Sequence, residues 1–163
     1  MLANFNVSKI GTVNGIELFT SKDFGLVLMG GVCSTVLDGY GHSIIVSKML
    51  KDFLTEDELF AVIFHELGHI YCGHLDVQGY AGEVIIREDF EKEADRFACN
   101  YADPAVLLKA LEKLSKLVLR PEFSSVLVKK LGLIKGMMAA WKMSQGAKKH
   151  MRARKKALEA FSI

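Results

Sequence analysis

Residues 65 to 69 read His65-Glu66-Leu67-Gly68-His69, and no other stretch limits the chain so tightly. On an α-helix, positions i and i+4 leave the same face, so both imidazoles can reach one metal ion. Glu66, one residue on, lies beside such an ion and not on it. There a carboxylate can take a proton from water, and because zinc lowers the pKa of bound water to about 7, a modest base suffices. The flanks predict the helix. Thr55-Glu56-Asp57-Glu58 has the form of a capping box, with Thr55 at the N-cap and Glu58 at the third helical position. Leu59, Val62, Ile63 and Ile70 then recur at helical spacing, which predicts a helix from about 56 to 73. The bland alternative is a capped helix with two surface histidines.

H-E-x-x-H on a helix is a zinc-peptidase pattern. A catalytic zinc has three protein ligands and an open position, whereas a structural zinc has four ligands. His74 is the nearest third candidate, but the metzincin spacing asks for Gly at 72 and His at 75, where this chain has Cys72 and Leu75. Cys72 as a ligand would close the site and make it structural. Glu91, in Glu91-Lys92-Glu93-Ala94-Asp95, is the better candidate. A second helix is expected from about Asp89 to Tyr101, with Glu91 and Asp95 on one face and Phe90, Ala94, Phe97 and Tyr101 making apolar contacts. Asp95 can then accept a hydrogen bond from the far nitrogen of a ligating histidine, fixing its tautomer. Glu93 reads as a solvated charge. The competing reading of this cluster is an acidic helix start that complements the dipole. Candidate donors to a transition-state oxyanion are His74, Tyr71, Tyr80 and Tyr101, each of which also reads as a packing residue.

The 163 residues, half hydrophobic and a quarter charged, suit one domain over 1–163 with a real core. Within it a sheet-rich part (1–54), the metal-site helices (55–122) and a basic helical extension (123–163) are expected. The charge is uneven: residues 1–122 hold 18 of the 19 Asp+Glu but only 11 of the 21 Lys+Arg. An acidic part therefore precedes a basic tail. Cys33, Cys72 and Cys99 form no C-x-x-C pair, which argues against a disulfide framework. With neither a signal-peptide start nor an apolar run of membrane-spanning length, a soluble, cytoplasmic protein is expected.

In chain order, Val7–Val13 and Ile16–Thr20 flank Asn14-Gly15, a strong hairpin signal. Phe24–Met29 reads as a buried strand, Val32–Leu37 as another, and His42–Val46 as a strand leading into a short helix, Lys48–Phe53, capped by Ser47. Asp103-Pro104 opens a third long helix with a Leu107, Leu108, Leu111, Leu114, Val118 stripe, ended by Pro121. Val84–Ile86 is a short apolar run. From Phe123 onward the pattern is helical, with breaks expected at Gly132, Gly136 and Gly146 and with Met137, Met138, Trp141 and Met143 as core.

The stretch from Thr55 to Ile70, the later Glu91, Ala94, Asp95 pattern, the Asp103-Pro104 helix with Leu111-Glu112-Lys113-Leu114, and Ile44-Ile45-Val46-Ser47 as an edge strand together resemble gluzincin peptidases of the CAAX prenyl protease and HtpX type. ImmA/IrrE-type peptidases, which are soluble and pair H-E-L-G-H with an E-x-E-A helix, are a second relative. The resemblance spans roughly residues 42 to 118. It implies an α+β, zincin-like fold: a small, mostly antiparallel N-terminal sheet on an active-site helix, then a helical C-terminal part. It also implies one Zn2+ per chain on His65, His69 and Glu91, Glu66 as catalytic base, and a protein or peptide as substrate. The membrane members carry spanning helices that this chain lacks.

The functional expectation is a zinc-dependent endopeptidase. The alternative is a zincin-fold binding, assembly or regulatory protein with a mainly structural metal, although an intact Glu66 has no task there. His42–Val46 could hold an extended substrate by strand addition. The basic stretch Lys148–Lys156 reads as a solvated face, an anionic contact, or an arm that meets the acidic part and limits access to the cleft. It carries no interleaved aromatics, which argues against nucleic acid.

Overall fold

The structure is a computed structural model that describes residues 7–22, 32–37, 40–77, 88–118, 148–149 and 151–160. The strands are β1 (Val7–Val13), β2 (Ile16–Ser21), β3 (Val32–Leu37) and β4 (Gly41–Ser47), and a 3-10 turn follows at Lys48–Asp52. The helices are α1 (Glu56–Tyr71), α2 (His74–Val77), α3 (Glu88–Ala98), α4 (Pro104–Val118) and α5 (151–160). This is the expected α+β arrangement of an N-terminal sheet followed by helices. The expected strand at Phe24–Met29, the Val84–Ile86 run, Tyr80, the Gly132, Gly136 and Gly146 breaks and the Met137–Met143 core lie outside the described residues.

Asn14 and Gly15 both take positive φ (48° and 78°), which matches the twist of a two-residue hairpin and closes β1 on β2. The sheet order is β1-β2-β4-β3, with β2 and β4 parallel and the other two pairs antiparallel. The strand expected at the edge, His42–Val46, is therefore interior, and β3 is the edge beside it. The reason lies in the run Ile44-Ile45-Val46. Ile44 and Val46 face the main core, while Ile45 packs with Phe19 and Cys33 on the other face. A strand buried on both faces belongs inside a sheet.

Both parts of the capping box form: Thr55 Oγ1 accepts from the Glu58 amide at 3.3 Å, and Glu58 Oε2 accepts from the Thr55 amide at 2.9 Å. Glu58 is also buried against α4, where Lys113 Nζ reaches its Oε2 at 2.6 Å. Ala61, Val62, Phe64 and Leu67 bury the core side of α1, and Leu107, Ala110, Leu111 and Leu114 of α4 complete it. Asp103 caps α4, its Oδ1 accepting from the Ala105 amide at 2.7 Å. Leu158 of α5 is buried in the same core. No helix among the described residues is long and apolar enough to cross a membrane.

Candidate metal centre

The sequence spacing puts His65 and His69 on one face of α1, but a metal centre also needs α3 to come close. Gly68 allows that approach. A Cβ built there would stand 2.8 Å from Ala94 Cα and 3.1 Å from Phe97 Cβ, so the two helices touch backbone to backbone at this point. On α3, Glu91 lies one turn before Ala94 and Asp95 directly after it, and both carboxylates then face the imidazoles.

The three expected ligands meet there. His65 Nε2 and His69 Nε2 are 3.1 Å apart, and Glu91 places Oε2 3.5 Å from the first and Oε1 3.5 Å from the second. A tetrahedral zinc with bonds of about 2.0–2.1 Å has ligand-to-ligand edges of roughly 3.3 Å. The donor set therefore fits such an ion in chemistry and in spacing. All three side chains are largely withdrawn from water, with relative exposures of 6%, 11% and 18%.

Asp95 is fully buried, and its Oδ1 lies 3.0 Å from His65 Nδ1. When Nε2 is the ligand atom, Nδ1–H donates to this carboxylate and holds the ring in place. Arg154 of α5 enters the same cluster. Its Nη1 lies 3.0 Å from Glu91 Oε2, and Nε and Nη2 grip Asp95 at 2.9 and 2.5 Å. Nη2 also comes within 3.2 Å of His65 Nδ1. In that tautomer both nitrogens are donors, so they share Asp95 Oδ1 as acceptor and do not bond each other.

Electrostatics follow from these neighbours. Burial and Arg154 disfavour the His65 imidazolium, but hydrogen bonds to Asp95 and Glu91 outweigh them and raise its pKa to about 9. Burial, with His65 next to it, pushes His69 down to about 3. Burial opposes ionisation of Glu91 and Asp95, yet the His65 hydrogen bonds and Arg154 hold both below the usual carboxylate range. Glu66 goes the other way, its pKa raised by burial and by Glu91 against the pull of His65. Its Oε2 accepts from the Ser34 amide on edge strand β3 at 2.7 Å, which ties the carboxyl to the sheet edge.

The remaining candidates sit elsewhere or do other things. Tyr71 is exposed, donates its hydroxyl to the Asn14 carbonyl at 3.1 Å and stacks on Phe97. Tyr101 is also exposed and packs on Phe64 and Phe97. His74 is buried beside His69, their Nδ1 atoms 3.0 Å apart, and its Nε2 meets Glu93 Oε2 at 3.0 Å. Glu93, read from sequence as a solvated charge, is 61% exposed but paired with this histidine.

Sequence reasoning missed Arg154, Gly68 and the Ser34 amide. Arg154 had a usable signal. Met151, Arg154 and Leu158 fall at i, i+3 and i+7, so the arginine lies on the buried stripe of its helix while its basic neighbours lie off it.

No curated protein and no solved structure matches the chain. The family described as Peptidase family M48 matches residues 37–85, a span that contains β4, α1 and its two histidines and ends before Glu91. Over that stretch the chain is similar to a peptidase family, in keeping with the zincin-like arrangement of its buried His-His-Glu cluster.

Proposed function

We propose that the protein is a zinc-dependent endopeptidase, with His65, His69 and Glu91 as metal ligands and Glu66 as general base. The observation that carries the reading is the convergence of His65 Nε2, His69 Nε2 and the Glu91 carboxylate, from two packed helices, at mutual distances of 3.1–3.5 Å. Zinc in such a site supplies Lewis acidity, polarising a peptide carbonyl and activating water.

The chain's own residues do the rest. Glu66, held by the Ser34 amide, takes the proton of the attacking water and delivers it to the departing amine. Asp95, with Arg154 behind it, keeps the far nitrogen of His65 protonated. The Ser34 amide points away from β4, so alternate backbone groups of β3 also face outward along the sheet edge. An extended substrate adding to β3 as a strand would run past Glu66. Cys33, Cys72 and Cys99 are all free thiols, which suits a protein or peptide substrate met in a reducing, cytoplasmic compartment.

The test is a search for new peptide termini by mass spectrometry, in a cell lysate treated with zinc-loaded protein and, in parallel, with its Glu66→Gln variant. Termini produced by the unmutated protein and missing with the variant are expected. Identical termini from both would leave the metal with a structural task and favour a binding or assembly protein.

A further inference from the structure

Beside the first cluster lies another. Cys72, His74 and Glu93 each offer one ligand atom, and these atoms lie within 4.8 Å of one another. The local chain produces the cluster. Cys72 caps α1, Gly73 takes φ +71°, and that turn brings His74 back over His69. Phe90 of α3 stacks on the His74 ring at 4.1 Å with planes 6° apart, holding Nε2 toward Glu93. The ring is 1% exposed. A thiol, an imidazole and a carboxylate make a donor set for a zinc-type divalent cation.

The two clusters share a contact, and proton bookkeeping makes them rivals. With His69 Nε2 as a metal ligand, its neutral ring carries the proton on Nδ1 and donates to His74 Nδ1, 3.0 Å away. His74 then carries its own proton on Nε2 and donates it to Glu93. A cation held through Nε2, the nitrogen that faces Glu93, needs that lone pair, which moves the His74 proton to Nδ1. Two N–H donors would then face each other at hydrogen-bond distance in a buried site, with no acceptor between them.

We propose that Cys72, His74 and Glu93 form a second site for a zinc-type divalent cation, and that filling it opposes filling of the first. Excess metal then acts through His74 to loosen His69, a built-in brake on the centre. The proposal rests on the reading of His65, His69 and Glu91 as a metal site, but not on peptidase activity. The first site fills before the second, because its ligands are buried on two packed helices while Cys72 and Glu93 are exposed.

Cobalt(II) tests this, since a thiolate ligand gives a near-ultraviolet charge-transfer band and the first site has no thiolate. Titration of the metal-free full chain should bind one equivalent without the band, which then rises with excess Co2+. Cys72→Ser should keep the first equivalent and lose the band. His69→Asn leaves an amide that can accept from His74 Nδ1, so the band should appear at roughly ten- to hundredfold lower free Co2+. Glu91→Gln, which keeps His69 but weakens the first site, should shift it the same way. The inference is overturned if the band is absent throughout, rises with the first equivalent, or has the same midpoint in all proteins that retain Cys72. If Cys72→Ser binds no cobalt while the unmutated chain shows the band, the first site itself is refuted and the rivalry with it.

Discussion

Glu58 and Glu66 lie on the same helix, two turns apart, and the structure treats them in opposite ways. Glu58 is at the first turn, buried, with the Thr55 amide and Lys113 directed at its carboxylate. Although burial alone would raise its pKa, these partners lower it. Glu66 is at the third turn with the Ser34 amide and no lysine on it among the described residues, and burial raises its pKa. One carboxylate is locked as an anion that ties α1 to α4. The other, whose ionisation burial opposes, is the one proposed to accept and return a proton. On that proposal, environment divides the same side chain into a fastener and a base.

The largest effect that would break this contrast is on chemistry. Glu66→Gln should cost about 10²–10⁴ in kcat, the range of a lost general base, with thermal unfolding unchanged or raised, because a neutral amide replaces an acid whose ionisation burial opposes. Glu58→Gln should leave kcat within about twofold of the unmutated chain, because the change lies two turns from the proposed site and touches none of its ligands. If both variants lost activity equally, the two glutamates would not be divided in this way.

Next comes the contact that delivers Glu91. Gly68→Ala puts a methyl group 2.8 Å from Ala94 Cα, backbone that cannot step aside cheaply. We expect about 1–3 kcal/mol of lost stability in denaturant melts, together with weaker zinc binding as α3 moves off. Unchanged zinc affinity would mean that Glu91 is not held by this approach.

Asp95→Asn should lower zinc affinity by about 10- to 100-fold, read by competition with a chelator. The amide can still meet His65 Nδ1–H through its oxygen but no longer balances Arg154. An unaltered affinity would separate Asp95 from the metal site.

The smallest effect is a pH dependence. The folded-state pKa of Glu58 lies below the ordinary glutamate value of 4.5, so its contribution to stability is complete above that value and is lost as pH falls through it toward the folded pKa. Glu58→Gln should therefore cost about 1–3 kcal/mol near neutrality, and the gap between variant and parent should narrow as pH drops below the unfolded value. A gap constant with pH would show that the carboxylate charge does not matter there.

What could be read from sequence follows from range. Helix α1, its cap, the hairpin turn and the start of α4 are local: Thr55 needs only Glu58 three residues away, and Asn14-Gly15 only each other. The grouping of His65, His69 and Glu91 was readable because metal chemistry narrows the choice of a third ligand, even across a long connection. The sheet order was not. β2 and β4 run parallel across an intervening segment, and no residue near Ile44-Ile45-Val46 announces which neighbour will cover each side, although the unbroken apolar run hinted at an interior strand. Arg154 pairs with Asp95 over 59 positions. The charge imbalance gave the sign of that encounter but could not pick one arginine from a basic tail. Gly68 was in plain view inside the motif, but its need for space exists only once α3 is in place.

The central claim is that three carboxylates of one chain have three separate tasks: Glu58 fastens, Glu66 transfers protons and Glu91 binds metal. Zinc per chain, counted by native mass spectrometry on Glu58→Gln, Glu66→Gln and Glu91→Gln beside the unmutated protein, tests it most directly. The account predicts one zinc in the unmutated chain and in the first two variants, and loss of zinc in the third. Zinc retained by Glu91→Gln, or lost from Glu66→Gln, would contradict it.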